Sequence, residues 1–158
     1  MKRIKALVLP VASMILLSGC GEEKDNALKT YNSFVTAVEA GDYATAYQLT
    51  DAVNNPYMSA EAFEETLMAI DTTYGKASKV KKADAGWEFT IGENTMVYSI
   101  VDNKLVLPNL YTELELYVPA GSECMYNNVS LTDDLITYSN ELETTYLLPN
   151  APKGIGTL

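Results

Sequence analysis

Histidine is absent from the 158-residue sequence. The sequence contains 21 Asp and Glu residues but only 11 Lys and Arg residues. Without histidine the chain lacks the commonest general base and the commonest ligand of catalytic zinc. The cysteines are Cys20 and Cys124. Because no histidine can activate a thiol, we interpret Cys124 as a half-buried strand residue and not as a nucleophile. Cys20 is the cysteine whose neighbours indicate chemistry.

The acidic residues form short clusters, which raises the question of a metal site. The clusters are Glu61/Glu64/Glu65, Glu113/Glu115, Asp133/Asp134 and Glu141/Glu143. A calcium loop needs oxygen ligands at fixed alternating positions around a central glycine, and no cluster has that pattern. We therefore expect solvated charge, no metal and no other cofactor. The negative charge also argues against nucleic-acid binding, because phosphates would be repelled.

Motifs of known catalytic sites are missing from the sequence. It has no serine in a nucleophile elbow, no phosphate-binding loop and no Cys-x-x-Cys pair. A glycosidase needs two facing carboxyl groups, which sequence alone cannot pair. We therefore predict no catalytic residues and no enzymatic activity.

Cys20 follows a segment that is typical of protein export. Lys2, Arg3 and Lys5 form a basic start, and residues 6–17 form an apolar stretch. This stretch is shorter than the roughly 20 residues that a membrane-spanning helix needs. It fits the apolar region of a secretory signal peptide.

The residues Leu17-Ser18-Gly19-Cys20 resemble the bacterial lipoprotein box, in which an aliphatic and two small residues precede a cysteine. The resemblance implies that residues 1–19 are a signal peptide removed before Cys20, whose thiol receives a diacylglycerol-type lipid. An ordinary secretory signal with a chance cysteine is the alternative. Cleavage removes three basic and no acidic residues, so the formal charge changes from −10 to −13.

Two acyl chains suffice for stable membrane anchoring. We therefore expect the lipid, and no transmembrane segment of the mature chain, to hold the protein at the outer face of the cytoplasmic membrane. In a cell with two membranes, the outer membrane is also open as a destination.

The apolar spacing after the box is helical as far as Gly75. We interpret residues 20–25, which are polar and charged, as a lipidated tether. The expected helices run from about residue 26 to Gly41, from Asp42 to the break at residues 54–56, and from Ser59 to Gly75. Their expected N-caps are Asp25 or Asn26, then Asp42, then Ser59.

Between residues 79 and 107 the apolar spacing changes to two, which indicates strands. The expected strands cover residues 79–81, 87–91, 96–101 and 105–107. Three helices followed by a meander of strands predict an α+β unit, in which the helices pack on a curved antiparallel sheet.

The sequence from Ala37 to Tyr47, with Gly41-Asp42-Tyr43 at its centre, resembles the turn between the first two helices of the nuclear transport factor 2-like superfamily. It is similar to the N-terminal domain of the methicillin-resistance penicillin-binding protein and to domains of teicoplanin-resistance-associated membrane proteins. The resemblance implies a cone-like domain over residues 26–107. An unrelated α+β domain is the alternative.

Some members of this superfamily, such as ketosteroid isomerase, are enzymes that use an Asp base with Tyr and Asp donors inside the cone. Tyr98 and Tyr47 are candidates to face such an interior, and Asp71 lies near the end of the third helix. The candidate pocket-lining residues are Tyr43, Tyr47, Tyr74, Trp87 and Tyr98. The alternative for each of them is an ordinary place in the core, with the polar atom at its edge.

Residues 111–158 form a second region, which we expect to be a small all-β unit. Leu114, Leu116 and Val118 alternate with polar residues, residues 127–128 predict a hairpin turn, and residues 146–149 predict another strand. The pattern of Val118-Pro119-Ala120-Gly121, Tyr126-Asn127-Asn128, Leu148-Pro149 and Lys153-Gly154 resembles small envelope β-domains. Those domains usually have Gly in place of Asn128 and continue with more strands, so we expect this unit to be truncated or completed by another polypeptide.

These observations predict a lipid-anchored, non-catalytic accessory domain of the cell envelope that binds another envelope protein or cell-wall material. One alternative is a small-ligand carrier or enzyme that uses the cone pocket. Another is a truncated gene product with no role of its own. A hollow helix–sheet interior favours the carrier or enzyme, whereas a packed interior favours the accessory domain.

Overall fold

A computed structural model describes residues 19–70 and 73–154 of the chain, with side chains from Gly21 onward. The predicted signal peptide up to Ser18, and with it Leu17 of the box, lies outside the described residues. Asp71 and the last four residues also lie outside them.

Three α-helices open the described part of the chain. They are α1 (Gly19–Glu39), α2 (Tyr43–Gln48) and α3 (Ala60–Ala69), and a 3₁₀ helix at Asp51–Asn54 lies between the last two. Gly41 ends α1 with a positive φ of 69°, and the Asp42 side chain caps α2 by accepting from the amide of Thr45 at 3.0 Å. The Ser59 hydroxyl caps α3 by accepting from Ala62 at 3.1 Å. The predicted caps Asp42 and Ser59 and the predicted terminator Gly41 are therefore confirmed.

The predicted start of the first helix is wrong, because α1 already begins at Gly19. Residues 21–26, most of which were interpreted as a tether, are helical with exposed side chains. Asp25 and Asn26 therefore lie inside the helix and do not cap it. After Gly21 this segment contains no residue that breaks a helix, and Glu and Lys are good helix formers.

The predicted ends of the second and third helices are also wrong. The second ends at Gln48 and gives way to the 3₁₀ helix, and the third ends at Ala69 instead of Gly75. β-branched residues follow Ala69, with Ile70 at the C-cap, and such residues lose side-chain freedom in a helix. Tyr74 therefore lies beyond the helix, where its ring packs edge-on against Phe34 at 5.1 Å.

An antiparallel meander follows the helices. Its strands are β1 (Lys79–Ala83), β2 (Gly86–Ile91), β3 (Asn94–Val101) and β4 (Lys104–Val106), in the spatial order β1-β2-β3-β4. The sheet is open, since β1 and β4 are its edges. This arrangement confirms the predicted order of three helices before a meander of strands.

The second region contains a three-stranded sheet and a short hairpin. The strands are β5 (Tyr111–Pro119), β6 (Met125–Tyr126), β7 (Val129–Ser130), β8 (Ile136–Ser139) and β9 (Glu143–Pro152). The sheet has the order β5-β9-β8, and the hairpin pairs β6 with β7. The predicted hairpin turn is confirmed, and Asn127 and Asn128 both adopt positive φ, at 49° and 64°. Asn tolerates this conformation and can replace the usual glycine.

Two strands of this region differ from the prediction. β8 was not predicted, and β9 extends beyond the predicted residues 146–149 in both directions. Pro149 lies inside β9, where the register with β5 shifts between Thr112 and Leu114. A bulge of this kind accommodates a proline that cannot donate a ladder hydrogen bond.

The buried side chains of the described residues form two clusters. The larger one joins the helices to the first sheet, from Ala27 to Leu110, and the smaller one covers residues from Leu116 to Ala151. Cys124 belongs to the smaller cluster and lies just before β6, so its interpretation as a half-buried strand residue is wrong. The fold is therefore α+β, with helices followed by open antiparallel sheets.

Candidate functional site

The predicted lipid attachment point lies at the start of α1. Gly19 and Cys20 belong to its first turn, and Ala27 is the first residue buried in the core, at 3% exposure. At 1.5 Å per residue, the helix places Cys20 about 10 Å from Ala27 along its axis. A lipid on Cys20 would thus join the folded body through helical residues instead of an extended tether.

Aromatic rings fill the space between α1 and the first sheet. The ring of Tyr31 stacks on Phe89 with centroids 4.5 Å apart and lies 5.5 Å from the ring of Tyr98. Tyr31 and Phe89 are fully buried and Tyr98 is 5% exposed. The Tyr31 hydroxyl donates to the carbonyl of Gly75 at 3.2 Å, so its polar end is satisfied at the edge of the core.

The five candidate pocket-lining residues have different environments. Tyr98 packs in this core, Tyr43 and Tyr74 pack against its surface, and Tyr47 donates its hydroxyl proton to the carbonyl of Met58 at 2.7 Å. Trp87 is buried in the same core at 7% exposure. It also lines an open groove beside the start of α1, and the ammonium of Lys82 lies 4.4 Å from its ring centroid. Within the described residues, these side chains do not converge on one cavity.

A cavity of about 480 Å³ lies where the two regions meet. Its walls come from the 3₁₀ helix with the segment after it, from the segment that follows β4, and from Leu135, Pro149 and Asn150 of the second region. The amide of Leu105 donates to the carbonyl of Leu49 at 2.9 Å, and Thr50 forms a bridge with Leu105. These contacts hold Asp51, the residue after Thr50, beside the chain that leaves β4.

Asp51 is the one charged residue on the cavity wall in the described part of the chain. Its Oδ1 atom is buried and accepts no hydrogen bond from the described residues. Burial raises the pKa of the Asp51 carboxyl, and the backbone amides of Leu107 and of Asp51 itself offset this only in part. The site therefore holds a half-buried carboxylate whose charge is only partly compensated by backbone amides.

Tyr111 is another titratable group on this wall. Burial raises its pKa to about 12, with the negative charge of Asp51 acting in the same direction and a hydrogen bond with the Asn55 side chain acting in the opposite one. The Tyr111 hydroxyl therefore stays protonated at neutral pH. Asp51, Asn55 and Tyr111 place a carboxylate, an amide and a hydroxyl at one cavity.

Hydrogen bonds across the junction fix the shape of the cavity. The Asn55 amide donates to the carbonyl of Asn150 at 2.8 Å, and the Asn127 amide donates to the carbonyl of Tyr57 at 2.9 Å. The Tyr57 ring lies 6.0 Å from the ring of Tyr126. Because both regions contribute partners, the cavity depends on their contact.

Asp51 and Tyr111 were not predicted as site residues from the sequence. They are 60 positions apart in the chain, and neither belongs to a motif. The asparagines and Pro56 beside Asp51 were interpreted only as the end of a helix, although such residues also form the loops that carry binding sites. That loop was the available signal.

The described residues contain neither a metal-binding group nor a membrane-crossing helix. No three or more Cys, Asp and Glu side chains there are placed to hold a metal ion. None of the helices there combines the length and apolar character needed to cross a membrane. In comparisons with protein-family models, with curated proteins and with solved structures, nothing matched the chain.

Proposed function

We propose that this chain is a lipid-anchored, non-catalytic binding domain at the outer face of a bacterial cytoplasmic membrane. The observation that carries the proposal is the sequence Leu17-Ser18-Gly19-Cys20 directly after a basic and an apolar segment. A diacylglycerol-type lipid on Cys20 would hold the mature chain, and the folded body would bind another envelope protein or cell-wall material. In a cell with two membranes, the same lipid could anchor it in the outer membrane.

The proposal includes a cone-like helix–sheet domain of the nuclear transport factor 2-like type. Its support is the Gly41-Asp42-Tyr43 connection between α1 and α2, together with the order of three helices and an antiparallel meander. The packing of Tyr31, Phe89 and Tyr98 between helix and sheet favours an accessory domain over a carrier or enzyme that uses the cone interior.

Cell fractionation tests the anchor. The wild-type protein and a Cys20→Ser variant are expressed in the bacterium that encodes the chain, and their distribution between membrane and soluble fractions is measured. We expect the wild type in the membrane fraction and the variant either soluble or retained as an uncleaved precursor of higher mass. Cys124→Ser is the matched control and should partition like the wild type.

Crosslinking in intact cells tests the binding role. We expect the wild-type protein to be recovered with an envelope protein or with wall fragments. Membrane association of a fully processed, unmodified Cys20→Ser chain, or a wild type that crosslinks to nothing in the envelope, would contradict the proposal.

A further inference from the structure

We propose that the junction cavity binds a lysine or arginine side chain on an extended segment of a partner protein, with Asp51 as its counter-charge. The inference rests on the proposed function insofar as the chain is a binding domain. It adds the chemistry of the partner and the place where that partner binds.

The charge balance of the cavity is the first argument. Asp51 is the charged residue of its wall, and the ion pairs among the described residues, Lys76–Glu39 and Lys81–Glu88, lie elsewhere. Buried or half-buried carboxylates are normally paired or hydrogen-bonded, whereas Oδ1 of Asp51 accepts nothing from the described residues. An ammonium or guanidinium group in the cavity would supply the opposite charge that its wall lacks.

The rest of the wall suits the stem of such a side chain. Leu107 and Leu135 provide apolar surface, and Tyr57 and Tyr111 provide aromatic surface. Lysine and arginine bury their methylene groups along such surfaces, and aromatic rings attract cations. A volume of about 480 Å³ lies within the range of sites that hold small ligands, so a side chain with part of its backbone can enter.

The net charge of the chain favours the same partner. The formal charge of the whole chain is −10, and it would be −13 after removal of the three basic residues of the signal segment. An acidic surface speeds the approach of basic partners. The side chains of Asn54 and Asn150 on the rim can hydrogen-bond the backbone of an extended segment. A neutral saccharide would gain binding affinity from contacts with the amides and aromatic rings, but it would gain none from the negative charge.

Titration of blocked tripeptides onto the soluble mature chain tests the inference. The protein is residues 20–158 with Cys20→Ser, so the result does not depend on lipid attachment. The probes are acetyl-Gly-Lys-Gly-amide, the same peptide with norleucine in place of lysine, and a trimer of N-acetylglucosamine. Backbone amide NMR shifts report affinity and location. We expect the lysine peptide to bind at least about fivefold more tightly than the norleucine peptide, with shifts at residues 51–57 and 106–111.

Two variants locate the effect. Asp51→Asn should remove the preference for lysine over norleucine. Asn54→Lys, at an exposed position on the rim, should weaken binding of the lysine peptide at least about fivefold, because it places a cation beside the site. Asn94→Lys adds the same charge at an exposed position in β3 and should leave binding close to that of the wild type.

Several results would overturn the inference. They are equal affinity for the lysine and norleucine peptides, shifts that map away from the cavity, and binding of the saccharide without binding of the lysine peptide. These results would leave the membrane anchor untouched, and failure of the Cys20 experiment would leave the cavity result standing.

Discussion

Asp51 shows how a single residue can link stability and binding in this molecule. Its Oδ1 atom is buried without a hydrogen-bond donor from the described residues, and burial raises the pKa of its carboxyl. A charged group that the fold does not compensate lowers the stability of the folded state. Residues at binding sites often carry such a cost, so Asp51 is a residue whose replacement should stabilise the fold and impair binding.

We predict that Asp51→Asn raises the melting temperature by a few degrees at pH 7. The folded-state pKa of Asp51 lies above the ordinary value of 3.8, so the folded state favours the protonated carboxyl. The stability that this preference contributes is fully present below pH 3.8 and is lost as the pH rises through the folded-state pKa. Asparagine is neutral throughout and keeps that contribution at pH 7. Thermal unfolding followed by circular dichroism between pH 3 and 7 measures the difference, which should shrink toward acid pH.

The control for this prediction is Asp84→Asn, which removes an equal charge from a turn between β1 and β2. It should change the melting temperature at pH 7 by less than Asp51→Asn does. A lower melting temperature for Asp51→Asn than for the wild type at pH 7 would show that the carboxylate stabilises the fold.

Tyr31 supplies a second test at this scale. Its ring is fully buried and its hydroxyl donates to the carbonyl of Gly75. Tyr31→Phe keeps the ring and removes the hydrogen bond, so we expect a loss of about 1 kcal/mol in the free energy of unfolding, measured by urea denaturation. Tyr138→Phe removes a hydroxyl that accepts a bond from Asn140 at the surface. It should cost less than about 0.5 kcal/mol, and an equal loss for both variants would contradict the prediction.

At the scale of elements, the sequence predicted the helix caps and the terminator of α1 correctly, because these depend on local chemistry. Gly41, Asp42 and Ser59 act through backbone groups a few residues away, so their roles could be predicted from type and order alone. The early start of α1 and the early end of α3 could not. Those limits depend on weak helix preferences that each extra turn adds or loses. The side chains of residues 21–26 are exposed, so no buried face in the sequence marks where α1 begins.

Gly86 leaves less room for a Cβ atom than the other described glycines in and beside the first sheet. Its φ is +143°, and a Cβ atom there would lie 2.6 Å from the carbonyl oxygen of Tyr98 on the neighbouring strand. We predict that Gly86→Ala lowers the free energy of unfolding by at least about 2 kcal/mol, because both the backbone conformation and the strand pairing are strained. Urea denaturation measures the change.

Gly92 is the matched control in the turn between β2 and β3. Its φ is also positive, at +59°, but a Cβ atom there would have open space within 4 Å. Gly92→Ala should therefore cost only the local backbone strain, about 1 kcal/mol. Similar losses for the two variants would show that the close approach to Tyr98 adds nothing.

At the scale of the whole molecule, the order of helices and strands was predictable and the contact between the two regions was not. Periodicity indicates which face of an element is buried, and this suffices for the three helices and the meander. The cavity requires that the segment after α2, the segment after β4 and the far end of β9 meet. No pattern within any one of these segments specifies that meeting, so Asp51, Tyr111 and Asn150 could not be grouped from the sequence.

The predicted domain limits, 26–107 and 111–158, agree with the two buried clusters only in outline. Leu110 belongs to the first cluster, and Tyr111, the first residue of β5, packs against it. The amide of Lys153 donates to the carbonyl of Leu110 at 2.9 Å, which ties the end of β9 to the same segment. The junction therefore combines residues on both sides of the predicted boundary, and the domain limits stay a prediction.

The central claim, that a lipid on Cys20 anchors this molecule, is tested most directly at its own N-terminus. The measurement is mass spectrometry of the N-terminal peptide of the protein purified from membranes of the organism that encodes it. The account predicts a peptide that begins at Cys20 and carries the added mass of a diacylglycerol on its thiol. A peptide that begins before Cys20, or one in which Cys20 is unmodified, would contradict it.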